Sequence, residues 1–132
     1  MTASSTPPRG VWVTAAFFAV AGVLEVAVGL WEAPPQAFWP VWEALGRGIL
    51  YFLLAAGLWN RIAICRTIAM VHCLAVLVTY AVVLGMALFH APVRFPASVI
   101  LESLYQVPSC ALLLPYLRSP AASVAFPRPL LR

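Results

Sequence analysis

The chain has 132 residues, of which 64% are hydrophobic and 9% are charged, and its formal net charge is +4. Soluble domains average about 45–50% apolar and about 25% charged residues. A mean hydropathy of +0.96 therefore leaves too few polar residues to cover a water-soluble surface, and the length allows a single domain.

The positive charge comes from Arg alone, without any Lys. The Arg residues do not form a basic face interleaved with exposed aromatic residues, so the composition argues against nucleic acid as a partner. A chain rich in Arg, Ala and Val indicates a GC-rich, bacterial genome. The expected location is therefore the bacterial inner membrane, with the lipid bilayer as the first partner.

The first apolar segment spans residues 11–31 and contains one ionisable group, Glu25. At 1.5 Å per residue it can cross a bilayer core of about 30 Å. One face carries a stripe of small residues, which lets another membrane helix approach closely. The stripe consists of Ala15, Ala19, Gly22, Val26 and Gly29. Glu25 flanks this stripe, so we expect its carboxyl to face the inside of a bundle, because a carboxylate facing lipid is costly.

Three further segments are long and apolar enough to cross a bilayer. They are residues 41–59, 62–89 and 97–117. With the first segment they predict an all-α fold, an up-down bundle of four transmembrane helices within residues 11–118. The last segment contains Pro108, and a kink is expected there because proline cannot donate to the carbonyl of Leu104.

The remaining residues are connections and tails. Proline-bounded turns join the first helix to the second and the third to the fourth, and a basic turn joins the second to the third. These turns are residues 32–40, 90–96 and 60–66. Residues 1–10 are expected to be a short polar tail, and residues 119–132 a second tail that is rich in Pro and Arg.

The distribution of Arg predicts how the bundle is oriented. With four helices, both tails lie on the same side as the turn at 60–66. That side carries Arg9, Arg61, Arg66, Arg118, Arg128 and Arg132, and the other side carries Arg47 and Arg94 beside Glu32 and Glu43. Because cytoplasmic loops are enriched in Arg and Lys, both termini are expected in the cytoplasm.

Counting the helical rise from the cytoplasmic ends predicts which polar groups meet. Glu25 lies roughly 21 Å deep, Arg47 roughly 18 Å and Glu102 roughly 24 Å. Tyr105 and Gln106 reach a similar level, and His72 lies closer to the cytoplasm. We therefore expect a polar layer from three helices, with Arg47 bridging the two carboxyls.

This layer supports two alternatives. It can be a structural clamp, because polar side chains fix how membrane helices assemble. It can also be a proton or cation site, because two carboxyls beside one guanidinium need a further proton for neutrality.

His72 and the three cysteines are expected to be residues of the helix core. A lone His could instead ligate a haem or a pigment, which is a third hypothesis, but no second His lies at the same depth. Cys65, Cys73 and Cys110 show no spacing typical of a metal site or a disulfide framework. Neither a nucleophile elbow nor a phosphate-binding glycine loop is present, so the sequence predicts no enzyme activity, cofactor or metal.

Two segments resemble a known group. Residues 22–25 (GVLE) place a polar group three residues after a glycine in the first helix, and residues 48–66 (GILYFLLAAGLWNRIAICR) form an apolar helix that ends in a basic turn. In these features the chain resembles the DoxX-like small membrane proteins of bacteria. The resemblance implies a four-helix bundle associated with redox proteins.

A second resemblance is carried by residues 24–29 (LEVAVG). They are similar to the first helix of the small multidrug-resistance transporters, whose Glu binds protons and substrate. The favoured hypothesis is a non-catalytic accessory or interaction subunit that packs against a second copy or another membrane protein. The alternative is a proton-coupled transporter of ions or small molecules that uses Glu25 and Glu102.

Overall fold

The computed structural model describes residues 8–32, 38–89 and 97–126. These residues form four long helices and one short helix. The helices are α1 (Arg9–Glu32), α2 (Phe38–Trp59), α3 (Ala63–Phe89), α4 (Ala97–Arg118) and α5 (Pro120–Ala125). Several sequence predictions lie outside the described residues. They concern residues 1–7, most of the two proline-bounded turns, His90, Arg94, Arg128 and Arg132.

The four long helices each have the length and apolar composition needed to cross a membrane. This confirms the prediction of an all-helical chain with four potential spans, and the helix bounds differ from the predicted ones by only a few residues. α4 continues without interruption through Pro108 and Pro115. Membrane helices tolerate internal proline because neighbouring groups satisfy the carbonyls that it leaves free.

α1 and α2 form the most extensive interface, and small residues on both helices create it. At Gly22 a Cβ would lie 3.2 Å from the carbonyl oxygen of Gly48, and a Cβ at Gly48 would lie 3.2 Å from the carbonyl oxygen of Gly22. Further along α1, a Cβ at Gly29 would collide with the Cβ of Ala44. The two backbones therefore approach closely because these positions lack side-chain bulk.

The contacts of α1 with α2 follow a consistent order along both helices. Near the end of α1, Gly29 faces Ala44 near the start of α2. Further back, Phe18 stacks on Tyr51 with ring centroids 6.0 Å apart. The buried core continues toward the beginning of α1 with Val11 and Leu58.

α2 ends in a C-terminal cap in which one residue, Arg61, has the left-handed backbone conformation. The backbone N–H of Arg61 donates to the carbonyl of Leu58 at 3.0 Å, and that of Ile62 donates to the carbonyl of Gly57 at 2.9 Å. These bonds satisfy the last carbonyls of the helix. Arg61 takes a φ of 59° to make them, so the basic connection is a tight turn and α3 starts immediately after it.

A side chain of α3 satisfies the end of α4. Arg66 donates from Nε to the carbonyl oxygen of Leu117 at 2.8 Å. The last carbonyls of a helix have no partner within the helix and carry its negative dipole end. A guanidinium is therefore a suitable cap, and it holds the beginning of α3 against the end of α4.

The first part of the expected C-terminal tail is instead a helix. Ser119 accepts a hydrogen bond from the backbone N–H of Ala122 at 3.2 Å and donates from Oγ to the carbonyl oxygen of Tyr116 at 2.6 Å. Pro120 occupies the first turn of α5, where a missing N–H costs nothing. Ala122 and Phe126 are buried against the bundle core. Apolar burial and a serine cap thus fold residues that composition alone assigned to a Pro- and Arg-rich tail.

The α1–α2 contact generates a stability prediction. Gly48→Ala should lower the free energy of unfolding by about 1–3 kcal/mol, because the new Cβ meets Val26 and the Gly22 carbonyl. Thermal unfolding in mild detergent measures the change. Gly46→Ala is the matched control, because its Cβ would enter open space two residues away on the same helix. Equal unfolding temperatures for the two variants would contradict the glycine contact.

Candidate functional site

The carboxyl group of Glu25 is enclosed by three helices. Its side chain is 4% exposed, although it lies in the middle of an apolar helix. Arg47 on α2 approaches from one side, with Nη1 3.4 Å from Oε2. Gln106 on α4 approaches the other oxygen and donates from Nε2 to Oε1 at 3.0 Å. α1, α2 and α4 therefore meet at one carboxylate.

Tyr105 completes the enclosure of Glu25. Its hydroxyl lies 3.5 Å from Oε1 of Glu25, at the outer limit of a hydrogen bond, and accepts from Nε2 of Gln106 at 3.2 Å. Tyr105 and Gln106 are neighbours in sequence, so both can reach Glu25 only because α4 turns the side between them toward α1. No side-chain nitrogen or oxygen that is buried in the described part of the chain lacks a partner.

Helix packing positions the ion pair. Arg47 directly precedes Gly48, where α2 comes closest to α1. The guanidinium reaches Glu25 from the rim of this contact, and its side chain remains 49% exposed. An N–O distance of 3.4 Å and a half-exposed cation make this a looser interaction than the bond from Gln106.

Glu102 is placed differently from the sequence prediction. Both it and Arg47 are described residues, and the pair does not come within the 4 Å of an ion pair. Glu102 lies within electrostatic range of Glu25 and Arg47 and is partly buried. Counting the helical rise predicts depth but not the direction around the helix axis. On α4 it is Tyr105 and Gln106, rather than Glu102, that face the carboxyl of Glu25.

His72 belongs to a separate contact. The hydroxyl of Tyr51 on α2 lies 3.2 Å from its Nε2, and the ring of Phe18 on α1 packs against it with centroids 5.6 Å apart. The imidazole thus joins α3 to the two helices that form the main interface. A haem iron could use Nε2 only by displacing Tyr51, and the haem or pigment hypothesis stays a prediction.

The sulfur atoms lie inside the bundle without a metal-ligating arrangement. Cys73 and Cys110 are fully buried between α3 and α4, Cys65 is partly buried, and all three are free thiols. Among the described residues no group of three or more His, Cys, Asp or Glu side chains could hold a metal ion.

Part of this site was not predicted from the sequence. Gln106 lies at the level that the helical rise predicts, but it is not among the predicted site residues, although it is the closest donor to Glu25. The small residues on the buried face of α2, namely Ala44, Gly48 and Ala55, were not predicted either, and Ala44 and Gly48 contact α1. Their spacing of four and seven residues is the signal that could have identified this face.

Comparisons with known proteins give no assignment: no family model, curated protein or solved structure matches the chain.

The geometry predicts different roles for the two carboxyls. Glu25→Gln should lower the free energy of unfolding by roughly 1–3 kcal/mol, because it removes the charge that Arg47 and Gln106 bind. Glu102→Gln should change it by less than about 1 kcal/mol, because no ion pair is lost. Thermal unfolding of both variants in the same detergent tests this. A larger loss in Glu102→Gln would show that the wrong carboxyl has been assigned to the clamp.

Proposed function

We propose that this membrane protein is a non-catalytic accessory or interaction subunit, in which the Glu25 clamp holds the bundle in one arrangement. The clamp consists of Glu25, Arg47, Tyr105 and Gln106. The observation that carries the proposal is the enclosure of Glu25, which is 4% exposed with donors from two other helices around it. A transport site must release its partners and admit substrate during each cycle. A carboxylate whose oxygens are already bound is better suited to a fixed joint.

The proposed arrangement is an up-down bundle with both termini in the cytoplasm of the bacterial inner membrane. Gly10 at the start of α1 lies against Tyr116 at the end of α4, and Arg66 at the start of α3 binds Leu117. These contacts support one common end for the two termini and the basic turn. The positive-inside rule supports a cytoplasmic location for that end.

The surface of α3 supports a role in assembly. α3 is the longest helix, with 27 residues, and only Ala69 and Cys73 are buried within the chain. Large apolar side chains on α3, such as Val71, Leu74 and Val78, are more than half exposed. Much of α3 is thus available to a neighbouring helix, which we propose belongs to a second copy or to another membrane protein. Partnership with redox proteins, which the DoxX-like resemblance implies, stays a prediction.

One observation favours a proton-coupled transporter as the second candidate. Glu25 and Glu102 lie within electrostatic range of each other, and Glu102 also lies within electrostatic range of the guanidinium of Arg47. Neutrality of this layer needs one more positive charge, which a proton or a cation could supply. Under this alternative Glu102 would be the exchanging group, because it forms no ion pair with any residue that the structure describes, and Glu25 would stay bound.

Site-specific photo-crosslinking tests the accessory role. A photoreactive amino acid at Val78 on α3 should crosslink to a second protein chain in native membranes. The same group at Val23 on α1 should give little crosslinking. Val23 is a matched control because its side chain is 56% exposed, compared with 55% for Val78. Native mass spectrometry after gentle extraction then gives the stoichiometry. A single-chain mass together with no crosslink from either position would contradict an assembly role.

Proton flux distinguishes the two candidates. Liposomes that contain the purified protein and an entrapped pH-sensitive dye should show equal proton flux for the wild type and Glu102→Gln if the chain is an accessory subunit. A transporter should instead lose its proton-coupled flux in this variant while its unfolding temperature stays unchanged. Glu25→Gln extends the comparison, because an unchanged flux in that variant as well would remove the transport hypothesis.

A further inference from the structure

The seam between α2 and α3 contains a groove of about 550 Å³. The two helices approach closely at one end, where a Cβ on Gly57 would collide with the sulfur of Cys65. Beyond this point they separate, and contacts between them are sparse compared with those of α1 and α2. The volume lies within the roughly 300–1,000 Å³ that is typical of ligand sites.

The groove changes from polar to apolar along its length. Arg47, Tyr51 and His72 line one end. Leu54 and Ile68 line the part toward Cys65, about 10 Å along α2 from Arg47 at 1.5 Å per residue. The groove lies between two helices of membrane-crossing length. A molecule that fills it must therefore come from the bilayer.

Arg47 gives the groove its charge. It is the one charged residue among the described residues that line it, and neither Glu25 nor Glu102 does so. A guanidinium carries five N–H donors, and the ion pair of Arg47 with Glu25 at 3.4 Å uses one nitrogen. The other N–H groups of this half-exposed guanidinium lie beside hydrocarbon, where leaving them without hydrogen-bond acceptors is costly in free energy. The guanidinium therefore needs further hydrogen-bond acceptors at this end of the groove.

We propose that the α2–α3 groove binds one anionic phospholipid, with its phosphate on Arg47 and one acyl chain along Leu54 and Ile68. A phosphate diester offers two oxygens that match the fork of a guanidinium. The order of polar and apolar lining residues matches that of headgroup and chain. A headgroup without a cation of its own is favoured, because a choline group would compete with Arg47 for the phosphate. This site shares Arg47 with the Glu25 clamp, but the binding of a lipid does not require the accessory role.

The test compares lipid retention in matched variants. The protein is placed in bilayers with equal amounts of phosphatidylglycerol and phosphatidylcholine, extracted gently and examined by native mass spectrometry. The wild type should retain one phosphatidylglycerol in preference to phosphatidylcholine. Ile68→Trp should fill the part of the groove that holds the acyl chain and lower this retention about tenfold, which corresponds to about 1.4 kcal/mol of binding free energy. Ile64→Trp is the control, because Ile64 has similar exposure, 46% against 50%, but does not line the groove.

Two substitutions of Arg47 test the role of its charge. Arg47→Gln should abolish the preference for phosphatidylglycerol, whereas Arg47→Lys should keep part of it. Equal retention of the two lipids by the wild type, undiminished retention in Ile68→Trp, or retention of a different amphiphile in their place would overturn the proposal. Unfolding temperatures measured without phosphatidylglycerol report on the Glu25 clamp separately, so the failure of one proposal is distinguishable from the failure of the other.

Discussion

One buried carboxylate constrains the rest of the structure. Glu25 lies in an apolar helix where neither water nor lipid can satisfy its charge, so its partners must come from other helices. Arg47 and Gln106 supply them from opposite sides. Because of this requirement, α2 and α4 must contact α1 at the same level. The Glu25 side chain can be buried only when the three helices have these relative positions.

Small residues at the contact between α1 and α2 make this arrangement possible. In a membrane the apolar side chains gain nothing by leaving lipid, so helices associate through close contact and polar bonds. Gly22 and Gly48 allow the backbones of α1 and α2 to touch, and Arg47 stands directly beside that contact. The same glycines that bring the helices together therefore bring the guanidinium within reach of the carboxylate.

The other helices are joined by fewer and more specific contacts. Tyr51 and His72 connect α2 to α3, and Arg66 connects α3 to the end of α4. Each of these contacts joins polar groups that would be costly in hydrocarbon, so it holds helices together without dense packing. The looser seams leave room for the α2–α3 groove and leave most of α3 uncovered. The α1–α2 pair is thus joined only sparsely to the α3–α4 pair, and the space between the pairs is suited to binding other membrane components.

The sequence by itself determined the four helices of membrane-crossing length and the common level at which Glu25 meets Arg47. These follow from composition and from a fixed rise per residue, which need no knowledge of neighbours. The identity of Glu25 as a buried group also follows from the cost of facing lipid. Only the tertiary structure decided that Gln106 and Tyr105, rather than Glu102, turn toward Glu25, because the rotation of α4 depends on its packing against α1. It likewise decided that residues 120–125 form α5, because burial of Ala122 and Phe126 against the bundle cannot be inferred from local composition.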